Sequence, residues 1–175
     1  SRRCTKWLSE ASTTVQNTSL RRSYTTGLML ESGCKAPVTM TKNGRKALAH
    51  GCHVGKWDEI EGLVEKAYGE FGKVDILINN AGMSPLYPKL TDVSEELFDK
   101  VVGVNLKGPF RLMALVGEKM AEGEGGNIVN ISSTASLNPS PNSEPYGAAK
   151  SGLNALTRSF AFEYGPTVRV NCIIA

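Results

Sequence analysis

Three apolar runs limit what this chain can fold into: Val74-Asp75-Ile76-Leu77-Ile78, Gly126-Asn127-Ile128-Val129-Asn130-Ile131-Ser132-Ser133 and Val168-Arg169-Val170-Asn171-Cys172-Ile173-Ile174. Each reads as a strand that needs burial, and segments of helical period separate them. Asp58 to Phe71 repeats Ile60, Leu63, Val64, Ala67 and Phe71 at helical spacing. Ser94 is placed to cap a longer helix whose apolar face carries Leu97, Val101, Val104, Leu106, Phe110, Met113 and Val116. Tyr146 to Tyr164 is a third helix, with Ala149, Leu153, Leu156, Phe160 and Ala161 inside. Upstream, Cys34 to Met40 and Lys46 to Val54 read as strands joined by the turn Lys42-Asn43-Gly44-Arg45. Pro37 argues for an edge or distorted strand. Strands alternating with helices in this order predict an α/β fold, a parallel sheet covered on both faces. Such sheets bind ligands beyond the carboxyl ends of their strands. Asn79 to Gly82 and Ser132-Ser133 occupy that position.

Order becomes readable only near residue 27. Thr26 to Gly33 reads as a helix end closed by Gly33, so the organised domain is expected over 27–175. Residues 1–26 lack glycine and are rich in Ser, Thr and Arg, with Glu10 their only acid. They fit a leader, a presequence-like segment or a degenerate first strand and helix. Cytoplasmic location is the expectation, with mitochondrial location the alternative.

A formal charge of +3 is too small to direct the chain to nucleic acid or a membrane. No apolar run approaches the ~20 residues that span a bilayer. Apolar content of 41% suits a soluble globular domain. Cys4, Cys34, Cys52 and Cys172 are irregularly spaced, and reduced thiols are the default. Cys34, His50, Cys52 and His53 can be drawn as a zinc cluster. Strand alternation would point neighbours among them to opposite faces, so no metal site is expected.

The chemistry concentrates at Tyr146-Gly147-Ala148-Ala149-Lys150. Residues four apart share one face of a helix. A phenol with pKa near 10 is a poor acid–base group at neutral pH, and a nearby cation stabilises its phenolate. Lys150 is placed to do this. Ser133 could bind a substrate oxygen and stabilise charge there. Taken alone, the pair is equally a surface Tyr/Lys spacing beside a serine-rich loop. Asn79 and Asn80 suit a turn, and Asn79 suits a bridge between strands better than a ligand contact. Asn130, Ser132 and Ser136 read as structural polar groups.

Four motifs in order change that balance: Asn79-Asn80-Ala81-Gly82, Val104-Asn105, Ile131-Ser132-Ser133 and Tyr146-x-x-x-Lys150. From about residue 46 to 175 the chain resembles a short-chain dehydrogenase/reductase of the classical type. Ser133 lies thirteen residues before Tyr146, as the family's serine does before its tyrosine. Arg169-Val170-Asn171-Cys172 resembles the family's sixth strand. The resemblance implies a Rossmann-like doubly wound sheet and NAD(P)-dependent interconversion of a ketone or carbonyl with a secondary alcohol. In it, Tyr146 is the general acid or base, and Lys150 tunes Tyr146 and holds the nicotinamide ribose. Ser133 orients the substrate oxygen. Asn105 sits at a helix irregularity and holds water linking Lys150 to solvent. Val54, Asn80, Ala81 and Gly82 pack beside the cofactor. The two long helices, from Ser94 and from Tyr146, resemble the pair that joins the family's dimers and tetramers.

The chain departs from the family in places. No T-G-x-x-x-G-x-G turn is present, and counting back from Gly33 puts Thr14 to Arg21 in its place, with Val15, Ser19 and Arg21 replacing the glycines. His53 stands where the family often has Asp before Val54. Met40 or Thr41 stands where an acid would favour NAD. Lys42 and Arg45 could meet a 2′-phosphate, which favours NADP over NAD. The family also continues beyond its sixth strand into a substrate lid, so residues 27–175 are expected to stop before it. An inactive homologue or isoform that binds partners through its long helices stays open, as does a nucleotide-binding module without turnover.

Overall fold

The computed structural model describes residues 14–16, 28–29, 38–42 and 45–175, with side chains from Ala47 onward. Its strands are β1 (Thr14–Gln16), β2 (Leu28–Met29), β3 (Val38–Lys42), β4 (Arg45–Ala49), β5 (Ile76–Asn79), β6 (Gly126–Ser132) and β7 (Val168–Ile174). Its α-helices are α1 (Trp57–Phe71), α2 (Glu95–Val102), α3 (Gly108–Glu122) and α4 (Glu144–Tyr164). A π-helical turn, Gly103–Lys107, joins α2 to α3, and short 3₁₀ turns cover Leu90–Asp92 and Thr134–Ser136.

β5, β6 and β7 lie side by side and parallel, with Leu77 opposite Ile128 and Ile128 opposite Val170. The crossover segments between them hold α2–α3 and α4, as parallel pairing requires. This is the open, doubly wound, Rossmann-like sheet expected from the sequence. Burial alternates along it. Leu77, Asn79, Ile128, Asn130, Val168 and Val170 are buried, whereas Ile76, Ile78, Val129 and Ile131 are half-buried. Among the described residues, Asn130 bonds to α3 through Met113 and to α4 through Thr157. The buried face is therefore the one those helices cover.

The helices follow their sequence pattern. In α1, Ile60, Leu63, Val64 and Ala67 are buried and Asp58 and Glu59 occupy the first turn, where the helix dipole favours acids. Ser94 caps α2 by accepting from the Leu97 amide at 3.1 Å. Pro145 sits in the first turn of α4, where its missing N–H costs nothing. The core joins Ile60, Leu63, Leu77, Leu112, Met113, Ile128 and Leu153. Burying each such side chain contributes ~1.5–3 kcal/mol.

The amino-terminal third departs from expectation in three ways. First, β3 and β4 are not part of the parallel set. They form an antiparallel pair in a separate three-stranded sheet of order β2-β4-β3. Lys42 pairs with Arg45, and a two-residue connection can only reverse the chain. Second, Leu28 and Met29 are a strand parallel to β4, not a helix end. So short an apolar run fits either state, and pairing with Leu48 and Ala49 decides it. Third, Thr14–Gln16 is not a turn: it is β1, paired antiparallel with β5. Gln16 lies opposite Ile76 and Thr14 opposite Ile78. β1 thus ends at the edge of the sheet away from Asn80–Gly82. Gly33 and the rest of the supposed glycine-turn register lie outside the described residues.

One close approach locks the start of α3 to the turn that precedes α1. A methyl group at Gly108 would sit 2.1 Å from the Val54 carbonyl oxygen. Gly108→Ala is expected to destabilise the chain by about 1–3 kcal/mol, because backbone must shift. Gly62→Ala, in open space on α1, should stabilise it by up to about 1 kcal/mol. Urea unfolding of both variants checks this pair of opposite signs.

Candidate active site

Two strand ends and one helix build the site. Past β5 the chain runs through Asn80, Ala81 and Gly82; past β6 it runs into Ser133 and the 3₁₀ turn Thr134–Ser136. Neighbouring parallel strands bring both ends to one edge. α4 then passes beneath them and presents Tyr146 and Lys150.

The register of β5 and β6 is fixed from inside. Asn79 and Asn130 are paired residues, and Asn79 Nδ2 donates to Asn130 Oδ1 at 2.8 Å. Asn130 Nδ2 donates to Thr157 Oγ1 at 2.9 Å, and that hydroxyl donates to the Leu153 carbonyl. Asn79 is therefore a strand bridge, as its sequence context suggested. Its Oδ1 is buried without a hydrogen bond among the described residues.

Lys150 is 3% exposed, and its Nζ donates to the Ile131 carbonyl at 2.7 Å. The same Nζ lies 5.7 Å from the Tyr146 ring centroid. Burial lowers the Lys150 pKa, with nearby Cys172 opposing the shift. Lys150 also anchors the backbone, since Ser132 Oγ donates to its carbonyl at 3.4 Å. Ser132, read as structural, is buried in that role.

Asn105 is fully buried within the π-helical turn. Its Nδ2 donates to the carbonyls of Met83 at 2.8 Å and Val101 at 2.9 Å, and its Oδ1 accepts from the Met83 amide at 3.2 Å. The turn has a local cause. Pro109 has no N–H to return to the Asn105 carbonyl in the α pattern, and the Gly108 amide bonds to Gly103, five residues back. Side-chain capture of Val101 by Asn105 completes the irregularity.

Ser133 caps the 3₁₀ turn, accepting from the Ala135 amide at 3.3 Å. That turn is docked on α4. Ser151 Oγ donates to the Ser136 carbonyl and Asn154 Nδ2 to Ser136 Oγ, each at 2.9 Å. A methyl group on Gly147 would come within 2.9 Å of the Ala135 carbonyl. Ser133 is thereby held against the helix that carries Tyr146.

A nicotinamide cofactor can be tested against these residues. Gly82 leaves open a space that a Cβ would fill, 3.0 Å from Asn105 Oδ1 and 3.6 Å from Lys150 Nζ. Val54 and Ala81 line one small cavity with Asn79, Pro109 and Leu112. Small residues thus lie beside a buried amine at the carboxyl ends of the strands, the place where open α/β sheets bind nucleotides. Asn80 is exposed at the same edge. Beside Val54, the His53 amide donates to Glu59 Oε2 at 2.6 Å, and His53 Nδ1 accepts from the Gly55 amide at 3.1 Å.

Among the described residues no group of three or more His, Cys, Asp or Glu side chains is arranged to hold an ion. Cys52 is buried and its thiol is pushed up to about 12, first by burial and then by Glu59 and Asp58. Cys34 lies outside the described residues. Among the described residues, no helix is long and apolar enough to cross a membrane.

A family model for short chain dehydrogenases matches residues 25–175. This chain belongs to the short-chain dehydrogenase/reductase family. Dehydrogenase/reductase SDR family member 4 of Bos taurus is 41% identical over 140 residues, which is 79% of this chain and 50% of that protein. A metagenomic short-chain oxidoreductase solved in complex with NADP superposes with a TM-score of 0.71 at 33% identity, covering 75% of this chain and 60% of the other. An NAD⁺-bound xylitol dehydrogenase superposes at 0.70 with 32% identity, covering 75% and 51%. The chain spans about half the length of the curated relatives it matches.

Sequence reading missed two parts of this family member's site. The Ile131 carbonyl that receives Lys150 is backbone and leaves no residue signature. Tyr87, 7% exposed, reaches Glu144 at the start of α4; a tyrosine between two prolines gave no sign of a partner so distant.

The buried lysine makes stability depend on pH with a defined sign. The folded pKa lies below the ordinary 10.5, so between those values the unfolded chain binds more protons. Stability should rise with pH through that window, and the desolvation cost should be fully present below the depressed value. Lys150→Met removes this contribution. The difference in Tm between wild type and Lys150→Met should therefore move in favour of wild type as pH climbs toward 10.5.

Proposed function

We propose that this chain is an NAD(P)-dependent oxidoreductase, or the major part of one, that interconverts a small ketone or other carbonyl compound and a secondary alcohol. The observation that carries the reading is the desolvated Lys150 amine beside Tyr146, on a helix to which the Ser133 turn is also docked. The bound cofactor supplies or accepts the hydride. Tyr146 gives a proton to the carbonyl oxygen in reduction and takes it from the hydroxyl in oxidation, so charge balances in each direction. Lys150, held by Ile131, sets the electrostatics at the phenol and binds the nicotinamide ribose. Ser133 holds the substrate oxygen. Asn105 fixes Met83 and so the wall formed by Asn80, Ala81 and Gly82, and holds water on the route from Lys150 to solvent. Val54 and Ala81 shape the pocket beside the cofactor.

Relatives of this fold have been solved with NADP and with NAD⁺. The reading favours NADP on Lys42 and Arg45, cross-strand partners at the end of the β3–β4 pair. Their side chains lie outside the described residues. Two cations opposite one another suit a 2′-phosphate. A dimer or tetramer through α2–α3 and α4 is part of the same reading. Phe98, Phe110 and Phe162 on those helices are 46%, 37% and 91% exposed, which suits an interface.

Fluorescence titration with NADH and NADPH tests the cofactor reading, with tighter binding of NADPH expected. No binding of either at millimolar concentration would sink it. Tyr146→Phe should reduce turnover of a ketone panel by at least about a hundredfold, the scale of general acid–base catalysis, at nearly unchanged cofactor affinity. Sedimentation should give a dimer or tetramer, and a clean monomer removes the assembly from the proposal.

A further inference from the structure

α4 carries Tyr146 and Lys150, yet its own N-cap does not complete it. Ser143 gives no side-chain hydrogen bond to the first turn. Its hydroxyl is paired with Ser140 instead, 2.6 Å from the Ser140 hydroxyl and 3.2 Å from the Ser140 carbonyl. The first turn is closed from elsewhere. The Glu144 amide donates to the Tyr87 hydroxyl at 2.8 Å, and that hydroxyl donates to Glu144 Oε2. One phenol from 57 residues away thus accepts from the backbone and donates to the side chain of the same residue. Burial raises the Tyr87 pKa and its bond to Glu144 adds to this, while the same bond leads the causes that lower the Glu144 pKa. Phenol and carboxylate therefore keep the protonation states the geometry needs.

Tyr87 belongs to the segment that leaves β5 through Asn80, Ala81 and Gly82. That segment is held at its start by two bonds between Asn105 and Met83: the Met83 amide and carbonyl both end on the Asn105 side chain. It is held again at Tyr87. The two ties connect the wall beside the proposed cofactor cleft to the turn of α4 that immediately precedes Tyr146.

We propose that Tyr87 is a positioning residue: its hydroxyl caps α4 in trans and fixes Tyr146 relative to the Asn80–Met83 wall. This rests on the oxidoreductase reading of the site. In this role Tyr87 acts through Glu144.

The test compares Tyr87→Phe, Glu144→Ala and the double variant in the full chain, with Tyr164→Phe as control. Tyr164 also buries part of its ring and bonds to the Ala114 carbonyl, but at the far end of α4. Tyr87→Phe should lower kcat about tenfold, the scale of losing the part-buried hydroxyl contact with Glu144, with cofactor affinity within about twofold. The double variant should be little worse than Tyr87→Phe, because Glu144→Ala leaves the Glu144 amide bond to the Tyr87 hydroxyl in place and removes only the side-chain half of the contact. Tyr164→Phe should leave kcat within about twofold. Amide exchange read by NMR supplies an arm independent of turnover: the Glu144 amide should exchange about tenfold faster in Tyr87→Phe and unchanged in Tyr164→Phe. Unchanged exchange overturns the cap. Faster exchange with unchanged kcat overturns the positioning role, as does an additive double variant. If the wild-type chain binds cofactor but turns over no ketone, or binds none, the oxidoreductase reading fails and the positioning role falls with it, while exchange still decides the cap alone.

Discussion

The site depends on a buried amide pair, Asn79 with Asn130. Strand side chains alternate with period two, so slipping β5 by one residue against β6 would send Asn79 to the opposite face. It would also leave the Asn130 side-chain oxygen without its Asn79 donor inside the core, at a cost of about 1–3 kcal/mol. The bond between the two asparagines therefore sets which residues reach the sheet edge together. With this register, Asn80–Gly82 leaves one strand where Ser132–Ser133 leaves its neighbour. Everything chemical in the site is hung on those two exits.

The lysine is the second organising element, and its position is a consequence of the first. A buried amine needs an acceptor, and Lys150 finds one in the Ile131 carbonyl near the end of β6. The strand thus both delivers Ser133 and holds the cation beside Tyr146. The π-helical turn serves the other strand. Asn105 points its amide back at Met83, so an irregularity in a helix keeps a loop in place across the cleft. The buried Lys150 amine and Asn105 amide are satisfied by backbone groups, and each bond fixes a segment that borders the site.

Most of this architecture was legible because its parts are long and periodic. The apolar spacing of α1, Ser94 at the start of α2, and the runs that became β5, β6 and β7 all carry signals that tertiary contacts reinforce. Tyr146 and Lys150 were visible as a helical spacing whose catalytic reading came only with the family resemblance, and Asn79 was readable as a strand bridge from its place at a strand end. The amino-terminal third was not. Leu28–Met29 is too short to show a period, and the direction of Thr14–Gln16 is a property of its pairing with β5. The Asn43-Gly44 connection did contain the antiparallel answer, since only a reversal spans so few residues, but the alternation further along argued for a single parallel sheet. Tyr87 was hidden for a different reason: its partner is remote in sequence, and nothing local marks a phenol as a cap.

The loop between β5 and α2 also shows where this molecule has slack. Its early part is pinned at Met83 and Tyr87, and its end at Ser94, whose hydroxyl starts α2. Between the pins, Pro88, Lys89, Leu90, Thr91 and Asp92 are all exposed. Local bonds such as that from the Asp92 amide to the Lys89 carbonyl hold this stretch together. New termini, an affinity tag or a reporter domain inserted here would emerge on the surface without disturbing either pin. The chain thus offers a graft point in a segment whose first end is tied to its candidate active site through Met83 and Tyr87.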